Sequence, residues 1–214
     1  MKIFGFPTFN VTKVLFTAEE LNLDYEFQLL NLMEGEQRSP EHLARHPLGK
    51  VPVLEINGQY LIESAAICRF LAEENGNRLY GDTPLKHAAV NSWIDLMGFH
   101  IGRWMGVFFF EEVIKPYIPN SVRNQAQMDE AAGFLAEQLP FMDRTLAENP
   151  FLTGEDITIA DTIAFAYCQT HQYTSVVLDE YPHIMNWYQS IDSRPSIARA
   201  MTRLPGGALV QPRS

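Results

Sequence analysis

One stretch of the sequence combines an open sheet edge with a helix start, and together these could hold a small anion. Residues 51–56 are β-branched and apolar, Asn57-Gly58 is typical of a tight hairpin turn, and residues 60–62 return as a second strand. Pro52 cannot donate to a sheet ladder, so the edge is open at that point. Ser64 then suits the N-cap of the apolar helix that follows. Free backbone groups beside a helix N-terminus predict a site for a small anionic ligand.

The residues before this stretch predict the sheet that must position it. Residues 2–6 and 25–30 are strand-like, and from residue 11 to 21 apolar residues recur at helical spacing, which assigns Lys13 to another face of the helix. A strand, a helix and a strand in this order give two parallel strands with a right-handed crossover. A short helix, the antiparallel hairpin and a last helix complete a βαβαββα domain over residues 1–76, with a mixed four-stranded sheet.

The composition of the chain changes after this domain. Residues 77–84 are rich in Gly, Asn and Pro, which is typical of a linker. No convincing strand follows, and long segments of helical periodicity predict an all-helical domain over residues 85–214. Within it, Thr158 and Asp161 stand at the spacing of a capping box ahead of an apolar run, so we assign them a structural role.

Composition excludes several classes of partner. The formal net charge of −10 disfavours nucleic acid and anionic membranes. No apolar run approaches the roughly 18 residues of a membrane span, and the N-terminus enters a strand directly, which predicts no signal peptide. The two cysteines, Cys68 and Cys168, lie far apart in apolar helical contexts and are expected to be buried free thiols in a reducing compartment, the cytoplasm. No ligand spacing for a metal is present, so we expect none.

Three short motifs in order resemble those of the cytosolic glutathione transferase superfamily. They are Val51-Pro52, then Glu63-Ser64 opening a helix, then residues 158–161 before an apolar helix. The resemblance covers nearly the whole chain. It implies a thioredoxin-like domain followed by an all-helical domain, in agreement with the fold class predicted from periodicity.

Other segments narrow the class that the chain resembles. Residues 32–38 with 44–52, and also residues 109–116, are similar to the phi class. Residues 8–14 look one residue shorter than the phi pattern, whose catalytic residue is a Ser. They also resemble a nu-like bacterial pattern, in which a Thr and an Asn precede a Lys-containing helix. The resemblance therefore implies a phi-like bacterial type with nu-like features at this stretch.

The resemblance implies glutathione as co-substrate, and its thiolate is the nucleophile. A free thiol with a pKa of about 8.5 is only a few per cent ionised at pH 7, and lowering that pKa by about two units needs about 2.7 kcal/mol. One hydrogen bond to an anion contributes roughly 1.5–3 kcal/mol, so one aimed donor near a helix N-terminus is enough. The candidate catalytic donors are Thr8 and Asn10, and both residue types are also common helix caps.

The resemblance also assigns the glutathione contacts. Ser64 would donate its hydroxyl and N–H to the γ-glutamyl carboxylate, and Glu63 would face the amine. Val51, before a cis Pro52, would pair its backbone with the cysteinyl unit. At the glycyl end, the assigned residues are Gln37, Arg38 and Lys50.

An electrophile site is expected between the two domains. Methionine and aromatic side chains suit an adaptable apolar pocket, although at helical spacing they are often core residues. The predicted pocket residues are Phe9, Met97, His100, Ile101, Trp104, Met105 and Phe108.

The predicted function is conjugation of the glutathione thiolate to small hydrophobic electrophiles, as in detoxification. Two alternatives stay open: a glutathione-dependent peroxidase or disulfide reductase, and a glutathione-binding regulatory protein without turnover. The resemblance implies a homodimer.

Overall fold

The N-terminal region is built on a mixed four-stranded sheet in a computed structural model that describes residues 1–211. The strand order is β2-β1-β3-β4. β1 and β2 are parallel, whereas β3 is antiparallel to both of its neighbours. The predicted mixed sheet is thus confirmed. The strands are β1 Lys2–Gly5, β2 Glu26–Leu29, β3 Val53–Ile56 and β4 Gln59–Leu61.

The hairpin between β3 and β4 forms as its sequence predicts. Asn57 and Gly58 have φ angles of 52° and 74°, which is the pair of positive φ values that a type I′ turn requires. Asparagine and glycine tolerate this conformation better than other residues do. The turn sets the register in which Leu54 faces Leu61.

Within residues 1–211, three α-helices complete the first domain and six more form the second. No strand follows β4 within residues 1–211, apart from a single bridge between Phe151 and Gly154. None of the helices in this range has the length and apolar character that a bilayer span requires. The helices are α1 Phe9–Glu20, α2 Pro40–Arg45, α3 Ser64–Glu74, α4 Pro84–Phe99, α5 Ile101–Phe108, α6 Gln125–Glu148, α7 Ile159–Cys168, α8 Pro182–Asp192 and α9 Pro195–Thr202, and a π-helical turn, Phe109–Ile114, follows α5.

Helix α1 is the element on which the two domains meet. It packs against α3 on one side and against α7 and α9 on the other. Thr17 on α1 and Thr162 on α7 share a buried hydrogen bond of 2.8 Å between their hydroxyls. Glu20 accepts from Arg194 at 2.6 and 2.8 Å. These contacts fix the last two turns of α1 relative to the helical domain.

The capping box at the start of α7 has the predicted structural role. Asp161 is fully buried and accepts from the Thr158 N–H at 2.9 Å. It also accepts from the Leu152 N–H at 2.9 Å and from the Trp187 indole N–H at 3.0 Å. The carboxylate therefore joins the preceding loop, α7 and α8, which explains why a charged group is tolerated in the core.

Candidate active site

Thr8 lies at the N-cap position of α1, but its hydroxyl does not cap the helix. Its backbone is extended, and its carbonyl accepts from the Val11 and Thr12 N–H groups at 2.9 and 3.1 Å. The side chain makes no cap hydrogen bond. Asn10 is already within the helix, so it is not the cap either. Both side chains are therefore free of the purely structural role that their residue types allow.

Asn10 is held by a lysine that the sequence pattern assigns to another face of the helix. Lys13 Nζ donates to Asn10 Oδ1 at 2.8 Å, and the Lys13 side chain is only 3% exposed. Nζ lies 3.6 Å from the ring centroid of Tyr167 and 5.0 Å from that of Phe9. Burial lowers the pKa of Lys13 to about 7, although the charges of Cys68 and Glu63 act in the opposite direction.

The bond between Val51 and Pro52 is cis, and the two residues precede β3. Val51 thus lies outside the ladder that pairs β3 with β1 and β4. A fully buried histidine contacts this loop: His42 Nε2 lies 2.9 Å from the carbonyl oxygen of Lys50. His46 accepts from the Leu48 N–H at 3.2 Å. Neither histidine was singled out from the sequence.

The start of α3 differs by one residue from the prediction. Glu63, not Ser64, occupies the N-cap position, and Ser64 is the first helical residue. Glu63 has a φ of 69°, a conformation that costs a residue other than glycine roughly 1–3 kcal/mol and is frequent at ligand sites. Because no side chain caps α3, the first N–H groups of the helix remain available to a ligand. The charge of Glu63 acts on both Lys13 and His46, so this helix start faces α1 and the loop before β3.

The three residues predicted at the glycyl end come from two loops that touch. The Arg38 guanidinium donates to the Leu48 carbonyl at 3.3 Å. Gly49 has a φ of +59°, and a Cβ placed there would lie 2.6 Å from the Gln37 carbonyl oxygen. This close approach brings Gln37 and Arg38 against the loop that carries Lys50, and it needs a glycine between the loops.

The predicted electrophile wall is largely core. Met97 and Met105 are 0% exposed and Ile101 is 1% exposed, so these three side chains offer no surface to a ligand. Trp104 stacks on Phe134 of α6 with ring centroids 4.4 Å apart. Phe108 is also buried, whereas His100 is exposed at the break between α4 and α5. The burial of Met97, Ile101 and Met105 differs from the exposed pocket wall that the pattern predicts, because α4 and α5 pack against other helices of their own domain.

The neighbouring face of α5 and the π-helical turn meets α1 instead. Phe9, which was predicted, contacts Phe109 with centroids 5.2 Å apart and Tyr167 with centroids 4.9 Å apart. A Cβ at Gly106 would lie 3.4 Å from Phe9 Cζ, and one at Gly102 would lie 2.6 Å from the Tyr167 ring. The two glycines and Phe109 follow each other at helical spacing. A stripe of small residues beside the apolar stripe was the signal in the sequence for this face.

Comparison with known proteins decides the family. The family model described as "Glutathione S-transferase, N-terminal domain" matches residues 1–73, and "Glutathione S-transferase, C-terminal domain" matches residues 108–195. Glutathione S-transferase 1 of Zea mays is 31% identical over 203 residues, which are 93% of this chain and 94% of the maize protein. The chain belongs to the glutathione S-transferase family.

Solved structures of other family members share the fold of this transferase. Glutathione S-transferase I from mais, in complex with an atrazine glutathione conjugate, has a TM-score of 0.85 and 29% identity, covering 95% of this chain and 97% of its own. The theta-class enzyme of Xanthomonas axonopodis pv. citri, with glutathione bound, has a TM-score of 0.83 and 28% identity, covering 93% and 95%. The predictions of a thioredoxin-like domain, a helical domain and a transferase enzyme are confirmed.

Proposed function

We propose that this transferase binds glutathione between the loop before β3 and the start of α3, and conjugates its thiolate to small hydrophobic electrophiles. One observation carries the proposal: at the start of α1, the Thr8 hydroxyl makes no cap hydrogen bond and Asn10 turns its amide oxygen away to Lys13. Two donors are therefore available at a helix N-terminus, where an anion is favoured.

Formation of the glutathione thiolate needs few groups beyond these two donors and the N-terminus of α1. A donor from Thr8 or Asn10, together with the first N–H groups of α1, would supply the roughly 2.7 kcal/mol that lowers a thiol pKa by about two units. Which of the two residues is the main donor stays open. Once ionised and held against the electrophile, the thiolate needs no further covalent assistance.

The anchoring of glutathione is supported by two adjacent features. The uncapped first turn of α3 suits the γ-glutamyl carboxylate at Ser64, with Glu63 for the amine. Val51 lies outside the sheet ladder and can pair with an extended peptide. The glycyl carboxylate would meet the cationic loops, where the assigned residues are Gln37, Arg38 and Lys50.

The electrophile site is proposed at the boundary between the two domains, next to the ring of Phe9. Phe109 and Tyr167 supply further aromatic surface there, and Phe110 on the π-helical turn is half exposed. π-Helical turns are frequent at functional sites because they change which side chains a helix presents. In this proposal the helical domain, 85–214, follows the linker 77–84 and contributes the apolar wall.

Thioether formation tests the activity. The transferase is mixed with glutathione and a generic aryl halide, and conjugation is followed over time. Glutathione binding without turnover of this or related electrophiles, or of organic hydroperoxides, would leave only the regulatory alternative. Turnover of organic hydroperoxides without conjugation would favour the peroxidase alternative.

The thiol pKa tests the donors. We expect Thr8→Val or Asn10→Ala to raise the pKa of the bound glutathione thiol by about one to two units, as the loss of one hydrogen bond to an anion implies. The ultraviolet absorbance of the bound thiolate, recorded as a function of pH, measures this pKa. Thr17→Val is the matched control, because Thr17 is a buried threonine of α1 whose hydroxyl bonds to Thr162 and to the backbone carbonyl of Lys13, and to neither Thr8 nor Asn10. If neither variant differs from this control, the donor assignment is wrong.

Further parts of the proposal concern class and surroundings. We assign the chain to a phi-like bacterial type, working in the cytoplasm, where free thiols such as buried Cys68 and Cys168 persist.

We also propose a homodimer, because the half-exposed to exposed apolar residues Leu48 and Tyr60 lie on the domain that binds glutathione. Sedimentation of the parent and of Leu48→Glu tests this: a monomeric parent contradicts it.

A further inference from the structure

Lys13 places an amine in the interior of the protein at the boundary of the two domains, and this amine is a cation below its pKa of about 7. It lies in the second turn of α1, with aromatic rings of Tyr167 and Phe9 on its ammonium. Among residues 1–211 it forms no ion pair, and its one side-chain hydrogen bond goes to Asn10. A buried charge without a counter-ion is costly, so its presence on an otherwise apolar helix face needs a reason.

The chemistry of the ammonium fixes the orientation of the Asn10 amide. An ammonium group only donates hydrogen bonds, so it can accommodate the amide oxygen and not the amide nitrogen. The Asn10 NH₂ group is therefore turned away from Lys13. No side chain or carbonyl within residues 1–211 accepts from it. Without the lysine, an asparagine at this half-buried position could turn its amide over at little cost.

We propose that Lys13 is a positioning residue of this transferase, which holds the Asn10 amide so that its N–H groups face the sulfur of glutathione. The inference rests on the proposed function, because it takes Asn10 as a donor to the thiolate. The ammonium also polarises the amide, which strengthens its N–H groups as donors in a low-dielectric site. Lys13 itself does not need to touch the sulfur.

Two other roles for Lys13 give different results. The ammonium could act on the thiolate directly through its charge, in which case its effect would be independent of Asn10. Alternatively, Lys13 could serve only to pack against Tyr167, in which case its removal would affect folding but not the thiol. A double-mutant cycle separates these roles, because only a residue acting through Asn10 loses its effect when Asn10 is absent.

The cycle uses the full chain and the pKa of the bound glutathione thiol, followed by thiolate ultraviolet absorbance. We expect Lys13→Met to raise this pKa by about one unit, which is about tenfold less thiolate at a pH below both values. Asn10→Ala is expected to raise it by at least as much, and Lys13→Met should then add nothing in the Asn10→Ala background. Lys13→Arg, which still only donates, should restore most of the loss. Thr17→Val should leave the pKa unchanged.

Each other outcome has a defined meaning. If the two single effects add in the double variant, or if Lys13→Met leaves the thiol pKa unchanged while Asn10→Ala raises it, the inference fails and the proposed function stands. If Asn10→Ala has no effect, the donor role of Asn10 fails and the inference fails with it. Should Lys13→Met not fold, a structure of the parent with glutathione decides: Asn10 Nδ2 within hydrogen-bond distance of the sulfur supports the inference, and Oδ1 facing the sulfur overturns it.

Discussion

The ring of Phe9, at the start of α1, lies against the ring of Tyr167, near the end of α7, with centroids 4.9 Å apart. Phe9 follows the candidate donor Thr8 directly, so this contact connects the proposed site of chemistry with the helical domain. Aromatic pairs of this kind contribute about 0.5–1.5 kcal/mol beyond the area they bury. Substitutions on α5 that disturb this contact should therefore weaken electrophile binding more than glutathione binding.

Gly106 offers the first test, because a Cβ there would stand 3.4 Å from Phe9 Cζ. Gly106→Ala would make ordinary contact, whereas Gly106→Leu would displace the Phe9 ring. We expect Gly106→Leu to raise the KM for an aryl halide about tenfold and to leave the KM for glutathione within about twofold, since one displaced apolar contact is worth about 1–3 kcal/mol. Steady-state kinetics with each substrate varied in turn measure both constants.

Gly133 on α6 provides the matched control for this substitution. A Cβ at Gly133 would meet nothing within 4 Å, so Gly133→Leu adds the same side chain to a helix without a close neighbour. It should leave both KM values unchanged. A Gly106→Leu variant that changes the glutathione KM as much as the aryl halide KM would contradict the placement of the electrophile site at Phe9.

Gly102, one turn before Gly106, should be intolerant even of alanine. Its Cβ would lie 2.5 Å from the Met97 carbonyl oxygen and 2.6 Å from the Tyr167 ring. Gly102→Ala should therefore lower the free energy of unfolding by about 1–3 kcal/mol, as overpacking does. Gly98→Ala, on the exposed side of α4, should instead raise it by about 0.5–1 kcal/mol through helix propensity. Denaturant unfolding of both variants tests this, and equal effects would contradict it.

The sequence was most informative where local chemistry decides the structure. The Asn57-Gly58 turn, the capping box at Asp161 and the strand pattern of the first domain are set by residues close together in the chain, and the predictions agree with the structure. The resemblance to a known family added the cis peptide before Pro52, which the short sequence context alone does not specify.

The helix faces could not be assigned in the same way. Periodicity shows that α4 and α5 have apolar stripes, but not which neighbours cover them, and Met97, Ile101 and Met105 are buried where an exposed wall was expected. The burial of Lys13 was not predicted for a related reason. Lysine side chains are usually exposed, and only the packing of α7 on α1 buries this one.

Asp161 gives a stability prediction that is independent of the active site. Its carboxylate accepts from the Leu152 N–H, the Thr158 N–H and the Trp187 indole, all within a buried region. Asp161→Ala would leave these donors without partners, so we expect it to lower the free energy of unfolding by at least about 3 kcal/mol. Asp156→Ala, at an exposed position of the same loop, should change it by less than about 0.5 kcal/mol. Chemical denaturation compares them, and a small effect of Asp161→Ala would show that the donors find other partners.

The buried ammonium of Lys13 should make the stability of the protein depend on pH in a defined direction. Burial lowers the pKa of Lys13 to about 7 from 10.5, against the opposing charges of Cys68 and Glu63. The unfolded chain keeps this proton up to about pH 10.5, so between the two values it binds more protons than the folded chain. The contribution of Lys13 is therefore most unfavourable below pH 7, and stability rises with pH above that value.

Replacing Lys13 by methionine removes this dependence. We expect Lys13→Met to unfold at a higher denaturant concentration than the parent at pH 6, with a difference in free energy of at most about 5 kcal/mol, because a shift of one pKa unit corresponds to about 1.4 kcal/mol. By pH 9 the difference should fall to about 2 kcal/mol, since most of the parent's lysine is then neutral in the folded state. Denaturant midpoints of both proteins across this range measure it. A constant difference from pH 6 to 9 would mean that Lys13 keeps its ordinary pKa and that its burial carries no penalty for the site to offset.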